Sequence, residues 1–289
     1  MKHLLWVATG IVAVILFCYF NNNFLSVSEY SISLKGANDF RIVHLSDLHG
    51  KQFGQNNSHL AKKIAKYKPD IIFFTGDLID DDAKYNGGKN VDESIEFLTQ
   101  LSSLCPVFYI YGNHEHRAGL SKQISSKLKN GGVHVLVNEI ENIDINENRL
   151  AILGLDEGQA SFKDQYKERK KGTYIYKDNS EYFKELEKHK GIKIVLSHFP
   201  ENFSGDEGYS YDKYDFDLQL SGHAHGGQFR FPFFGGVYSP GQGIRPRYTC
   251  GIYGSGPYMV VSRGLGNSGF PLRLFNPPDI VVIDINKGE

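Results

Sequence analysis

From Leu4 to Phe20 the chain is uncharged and almost wholly apolar (LLWVATGIVAVILFCYF), and three asparagines, Asn21 to Asn23, then end the run. Roughly 17 residues is the short end of what crosses a bilayer core as a helix. Beyond a linker from about Asn21 to Ser28 the pattern changes to short apolar runs alternating with helical spacing. Arg41 to Leu45, Ile71 to Thr75, Val107 to Ile110, Leu150 to Leu155, Ile194 to Ser197 and Met259 to Val261 have the density of buried strands. Between them Leu60, Ile64 and Tyr67 fall at i, i+4, i+7 behind Ser58 as an N-cap, and Val91, Ile95 and Leu98 repeat that spacing. A third helix around Ile124 and Leu128 stops at Gly131 and Gly132. Each helix offers one apolar stripe to a sheet, so the pattern predicts one layered α/β domain over residues 29–289, behind an anchor and linker over 1–28.

Two stretches depart from this rhythm. Asp156 to Asn179 is dense in charge and reads as a solvated surface insertion. Phe229 to Gly256 is rich in Gly, Pro and aromatic residues and is long for a structureless connection, as functional or lid-like loops are. Within it Phe229, Phe231, Phe233 and Phe234 alternate with smaller or polar residues, as in a hairpin; a lipid-facing pocket is the alternative for a tethered enzyme.

The first apolar run has no small-x-small cleavage site after it and no polar face, which favours an uncleaved signal anchor over a signal peptide or a core helix. Lys2 and the amino terminus are the positive charges beside it, so the positive-inside tendency places the N-terminus in the cytoplasm. The expected location is the cell membrane, single-pass, with the domain extracytoplasmic. Composition adds little: 40% hydrophobic and 22% charged residues are ordinary for a globular chain. Charge excludes more, because 32 Lys and Arg against 33 Asp and Glu leave a formal net charge of -1 and no general attraction for nucleic acid. None of the three cysteines lies in a CxxC pattern, which argues against a thiolate zinc site. Phe17 is too bulky to precede a lipoprotein cysteine at Cys18, and whether Cys105 and Cys250 pair is left open.

Candidate chemistry gathers at the ends of the strand-like runs: Asp47-Leu48-His49, Gly76-Asp77, Gly112-Asn113-His114-Glu115, Ser197-His198 and Gly222-His223-Ala224-His225. In extended backbone side chains alternate, so Asp47 and His49 share a face, as do His223 and His225, and each pair can grip a metal from one side. Asn113 and His114 diverge, leaving Asn113 to ligate and His114 to project elsewhere. Glycines 76, 112 and 222 suit tight turns that bring strand ends together. Asp47 and Asp77 follow apolar strands where an unpaired carboxylate is costly to bury, which metal ligation explains and packing does not. His3, His44, His59, His134 and His189 read as ordinary core or surface residues, whereas His116, Arg117, Arg245 and Arg247 are weaker candidates for phosphate contact. Asp80, Glu115 and Asp217 could support a ligating imidazole.

The set resembles the calcineurin-like metallophosphoesterases, whose motifs run D-x-H, G-D, G-N-H-D/E, H and G-H-x-H in this chain order. The resemblance spans about Phe40 to Ile285, because SRGLGNSGFPLRLFNPPDIVVIDI is similar to the closing segment of the bacterial membrane-anchored, YaeI- and YkuE-like phosphodiesterase branch. His116 and Arg117 after the third motif and Asp279 near the end depart from the usual pattern and bear on substrate choice. The resemblance implies a layered β-sandwich flanked by helices. It implies that Asp47, His49 and His225 hold one divalent metal, that Asn113, His198 and His223 hold the other, and that Asp77 bridges. Two such ions carry four positive charges, of which Asp47, Asp77 and a bound hydroxide offset three; the small remainder suits a phosphodiester. Oxygen and imidazole ligands suit Mn, Fe or Zn alike. Hydrolysis is then expected by in-line attack of a hydroxide shared by the metals, with His114 protonating the leaving oxygen or steadying the charge on it. The expected substrate is a phosphoester, lipid-linked or of the cell envelope. A UDP-2,3-diacylglucosamine-type pyrophosphatase, a catalytically silent metal-binding scaffold and a nuclease are the competing readings, the last disfavoured by charge.

Overall fold

The computed structural model describes residues 2–84, 90–158, 178–204, 210–267 and 269–288. Twelve strands form two six-stranded sheets. In the first sheet β1 (Ser26–Lys35) lies parallel to β16 (Asp279–Gly288), which runs antiparallel to β2 (Phe40–Leu45); β3 (Ile71–Thr75), β4 (Val107–Ile110) and β5 (His134–Val135) follow in parallel. The second runs from β6 (Glu139–Ile145) through β7 (Asn148–Gly154), β8 (Ile192–Leu196), β9 (Leu218–Ser221) and β15 (Tyr258–Val261) to β14 (Gly251–Tyr253). Its two outer pairs are antiparallel and its centre is parallel.

Strand alternation explains the layers. On β2, Ile42 faces the second sheet while Val43 and Leu45 face helices; on β3, Ile71 and Phe73 face inward while Ile72 and Phe74 face outward. The inward set meets Leu150, Ile152, Ile194, Leu196, Leu218 and Val260 in a core between the sheets. Outside the first sheet pack α2 (Ser58–Lys66), α3 (Val91–Leu101) and α5 (Ser121–Asn130), which bury Leu60, Ile64, Ile95, Leu98, Ile124 and Leu128. Outside the second, α6 (Ser180–Leu186) buries Phe183 and Leu186 against Leu153 and Val195. The mixed α/β sandwich with helical outer layers is the predicted class, and the six predicted strands match β2, β3, β4, β7, β8 and β15 to within two residues at each end.

Several expectations need correction. Helix α2 starts at Ser58, so the residue before it, Asn57, takes the cap position in a left-handed conformation, and its Oδ1 accepts the Phe53 amide instead of a helical one. The linker is shorter than predicted, because α1 (Lys2–Asn23) runs through the asparagines and β1 begins at Ser26. Asn21, Asn22 and Asn23 each donate a side-chain N–H to the carbonyl four residues back, which lets the helix continue where their polarity suggested a stop. The predicted membrane span over 4–20 is not established by the fold: among the described residues no helix is long and apolar enough to cross a membrane, and the side chains of Leu4, Leu5 and Ala8 lie outside those described. Most of the charged stretch Asp156 to Asn179 also lies outside the described residues. The segment 229–256 forms short hairpins, β10 (Arg230–Phe231) with β11 (Gly235–Gly236) and β12 (Tyr238–Ser239) with β13 (Gly243–Ile244), before β14. Cys105 and Cys250 are free thiols.

Candidate metal centre

Parallel strands β2, β3, β4, β8 and β9 point their carboxyl ends the same way in each sheet, and every candidate residue sits just beyond one of those ends. Backbone bonds zip the loops together: the Asp47 amide donates to the Gly76 carbonyl and the His49 amide to that of Asp77, both at 3.0 Å. The loops are not extended. Asp47, His49, Asp77, His223 and His225 all have left-handed backbones, with φ between 46° and 63°. Non-glycine residues seldom adopt that conformation, and held strain of this kind clusters where a side chain must be aimed.

The left-handed turns replace the strand alternation expected from the i, i+2 spacing. Asp47 and His49 still converge, on His225 and Asp77, but His223 and His225 part, the first joining His198 and Asp77. Glycine has a different reason at each motif. Gly76 takes φ +87°, whereas Gly112 and Gly222 have no such need. A Cβ on Gly112 would strike Asp77 Oδ1, and one on Gly222 would strike Ser46 Oγ and Asp47 Oδ2.

Six of the seven predicted side chains therefore fall into two groups that share Asp77: Asp47, His49, Asp77 and His225 in one, Asp77, His198 and His223 in the other, each with ligand atoms within 4.8 Å. His49 Nε2 lies 3.1 Å from His225 Nε2, and His225 Nε2 lies 3.3 Å from Asp47 Oδ1. Asp77 Oδ2 lies 3.2 Å from His198 Nε2 and 3.7 Å from His49 Nε2. Asn113 is buried beside them at the start of α4 (Asn113–Ala118). His49, Asp80 and His114 form a third cluster of the same compactness, so geometry alone leaves two roles open to His114, ligand and proton donor.

The bonding pattern fits a site for cations. Asp77 Oδ2, His198 Nε2 and both amide atoms of Asn113 are buried without a hydrogen-bond partner. Each such atom costs on the order of 1–3 kcal/mol, so four in one place need a ligand. His198 is oriented for one: its Nδ1 donates to the Thr75 carbonyl at 2.7 Å, which turns Nε2 toward Asp77, where loss of its proton to an incoming metal would free a lone pair.

Charge is coupled across the centre. Burial raises the Asp77 carboxyl, but His198 and His114 outweigh that and hold it well below the usual range. For His198 burial acts downward, and the charge of Asp77 reverses it, to about 10. Burial, helped by the charge of His114, brings His49 down to about 3, and burial with the charges of His49 and Arg273 takes His225 well below its ordinary value. Neutral imidazoles are the form that binds metal.

His114 stands apart. Its Nδ1 lies 3.1 Å from Asp80 Oδ1, and its Nε2 lies 3.8 Å from Asp77 Oδ2. Burial lowers its pKa, yet Asp77 and Asp80 together lift it to about 9. Asp80 thus supports an imidazole as expected, although of the non-ligand histidine.

The other proposed supports act differently. Glu115 accepts the amides of Gly112 at 2.7 Å, Leu78 at 2.7 Å and Asp77 at 3.1 Å, binding two loops through their backbones and touching no imidazole. Asp217 precedes β9 and accepts the Lys193 amide, at the opposite end of the strands from the site. His116 is engaged by Asp156 at 2.7 Å. Arg245 and Arg247 stack on Phe234 and Tyr248, at 5.1 Å and 4.9 Å, away from the cluster, whereas Arg117 is near enough for its charge to lower His114 and His223.

Two residues escaped sequence reasoning. Arg273, fully buried, donates to the carbonyls of Arg263 and Gly266 and places Nη2 3.3 Å from His225 Nδ1. Glu157 accepts the His198 amide at 2.8 Å, Asn202 Nδ2 at 2.6 Å and the hydroxyls of Ser197 and Tyr211 at 3.0 Å. It moulds the loop that carries His198. Glu157→Ala would leave these donors buried and unpaired, so a loss of at least about 3 kcal/mol is expected, read from urea unfolding. A change below about 1 kcal/mol would mean that water replaces the carboxylate.

Comparison with known proteins agrees with this architecture. The family model described as calcineurin-like phosphoesterase matches residues 40–227. A metallophosphoesterase of Aquifex aeolicus is 31% identical over 96% of this chain and 98% of its own. The metallophosphoesterase YkuE of Bacillus subtilis is 29% identical over 93% and 88%, and the phosphodiesterase YaeI of Escherichia coli 28% over 86% and 83%. With its motifs in family order and its strand ends converging on two carboxylates and four imidazoles, the chain belongs to the calcineurin-like phosphoesterases and is a metallophosphoesterase.

Proposed function

We propose that the chain hydrolyses a phosphodiester with a dinuclear metal centre, at a membrane surface and on a lipid-linked or cell-envelope substrate. One observation carries the dinuclear reading: Asp77 belongs to both metal-capable groups, and its Oδ2 is buried among imidazoles without a hydrogen bond. Asp47, His49 and His225 would hold one ion and Asn113, His198 and His223 the other, with Asp77 shared. Bound there, the ions would polarise the phosphoryl oxygens and supply hydroxide at neutral pH; Mn, Fe and Zn all suit such ligands. The remaining work falls to the protein. His114, kept protonated by Asp77 and Asp80, offers a proton from Nε2 to the leaving oxygen. Arg117, beside it, supplies positive charge for a non-bridging oxygen.

The diester preference draws on the name of the Escherichia coli relative. The membrane location draws on α1, where Trp6, Val7, Ile11, Val12, Val14, Ile15 and Leu16 are all exposed on a helix of 22 residues. At 1.5 Å per residue the whole helix is about 33 Å long; its described apolar part falls short of a full span, so the membrane reading rests on its exposed apolar surface and on the run of residues 4–20, and we place the domain on the outer face. Metal analysis of the full chain, followed by chelation and re-addition of Mn, Fe or Zn, is the direct test. Two metals per chain and a rate on bis-p-nitrophenyl phosphate above that on p-nitrophenyl phosphate are expected. One metal, or none, would end the dinuclear reading, and a faster monoester would reverse the substrate class.

A further inference from the structure

We propose that the loops between residues 229 and 275 form a second membrane contact, seating the domain on an anionic bilayer beside α1; this rests on the membrane reading above. The distribution of exposed apolar side chains is the first reason. Among the described residues every large one outside α1 and Phe24 lies in this segment, Leu104 excepted. Phe231, Phe233, Phe234, Ile244, Phe270 and Phe275 are each about half exposed or more, and Phe233 is wholly so. Soluble surfaces seldom gather so many large apolar groups without a partner.

Charge is the second. Residues 218–278 contain five arginines, at 230, 245, 247, 263 and 273, and not one Asp or Glu, in a chain that holds 33 acidic residues. Arg245 and Arg247 are exposed, and the Arg245 guanidinium lies over Phe234 at 5.1 Å. An aromatic surface flanked by arginines and free of acids matches the layer where acyl chains meet anionic headgroups.

Continuity with α1 commits the occupant to a bilayer instead of a protein. Phe275 meets Phe17 of α1 at 5.0 Å and Phe231 at 6.2 Å. Asn22, at the end of α1, is held by Asn267 and by the Arg273 amide at 3.0 Å and 3.2 Å, so the helix leaves the domain through this face. Phe17 lies six residues before Asn23, which puts its neighbour Phe275 about 9 Å below the helix end. Interfacial apolar groups lie at that depth, roughly 5–10 Å below the surface. If the helix enters lipid, Phe275 and the hairpins joined to it enter the interface too.

The patch also adjoins the metal centre. Asn276 donates to the His225 carbonyl at 2.7 Å, Arg230 to that of Gly226 at 2.8 Å, and the Val237 amide to that of Gly227 at 3.0 Å. A lipid-linked ester presented at the bilayer surface would thus meet the site without leaving the membrane.

The chain has one tryptophan, Trp6 on α1, which makes the test direct. The full chain is reconstituted in phosphatidylcholine and phosphatidylglycerol vesicles whose acyl chains carry bromine, and tryptophan emission is compared with that in unbrominated vesicles. Native protein reports the helix. In a Trp6→Phe background, Phe233→Trp and Ile244→Trp report the patch, two exposed positions in case one perturbs its hairpin, and Leu104→Trp reports a surface outside it. Emission from both patch reporters is expected to fall by about half, as for groups within reach of interfacial acyl chains, and that from Leu104→Trp to stay level. Patch reporters as bright as Leu104→Trp, with Trp6 quenched, would overturn the second contact and leave the tether standing. An unquenched Trp6 would instead remove the tether, and quenching at 233 and 244 would then support a surface that binds lipid by itself.

Discussion

Asp77→Asn is expected to release metal from both halves of the centre and to reduce turnover on a diester by about 10³-fold or more, the loss of several kcal/mol of charge stabilisation. The substitution is nearly isosteric. Its amide oxygen can keep the acceptor role of Oδ1, which takes the His114 amide at 2.9 Å, so the loops after β3 and β4 should stay together. What disappears is the negative charge at Oδ2, within 3.2–3.8 Å of His198, His49 and His114. Replacing a residue that serves one group only, such as Asp47, should leave the other group intact. Metal content read by elemental analysis on the folded variant decides the matter: fewer than one ion per chain agrees with a shared ligand, while two retained ions would take Asp77 out of the centre. The metal-free state adds a pH signature. Asp77 is held below its unfolded pKa, so the stability it contributes is present above that unfolded value and is lost as pH falls through the depressed folded one. The matching His198 charge contributes below its unfolded pKa near 6.5 and loses its effect as pH rises toward about 10. Apo protein should thus draw on this pair most fully between those limits, and Asp77→Asn should flatten that region of the stability profile.

Order along the chain made most of the centre legible. Asp47, His49, Asp77, Asn113, His198, His223 and His225 each follow a short apolar run, and parallel strands bring such positions to one edge whatever their separation in sequence. The way they aim was not legible. Spacing of i, i+2 means a shared face only in extended backbone, and five of the seven have a left-handed φ that no residue type announces. His223 and His225 consequently serve different groups. Supporting carboxylates were harder still, because an acid in the sequence does not reveal which polar groups it will meet. Glu157 stands at the edge of a charged stretch that reads as solvated, yet it is half-buried under five donors; Asp217, close to the G-H-x-H motif in sequence, lies at the wrong end of its strand. Strands β1 and β16 were missed because Ser26, Ser28, Ser31 and Ser33 interrupt the apolar pattern of one, and the other lies at the far end of the chain. Their pairing over ten residues is the longest register in the structure and depends on contacts some 250 residues apart.

His114→Ala tests the division between binding and chemistry. The imidazole is near both metal-capable groups but is held from behind by Asp80, with Nε2 on the side of Asp77. A proton donor contributes typically 10²–10⁴-fold, and a loss in that range is expected in kcat, with KM changed little. Both metals should remain, because the ligand groups that share Asp77 are complete without it. The third cluster, His49, Asp80 and His114, supplies the competing outcome: were His114 a ligand there, metal content would fall together with rate. Substrate choice separates the roles further. An ester whose leaving group is a nitrophenolate needs little protonation, so His114→Ala should damage its hydrolysis least, and should damage that of an alkyl diester most. Asp80→Asn should reproduce the alkyl-ester defect in milder form, since it weakens the charge that keeps His114 protonated while leaving the imidazole in place. Equal losses on both esters, with metal intact, would assign His114 to charge stabilisation of the phosphoryl group and not to proton transfer.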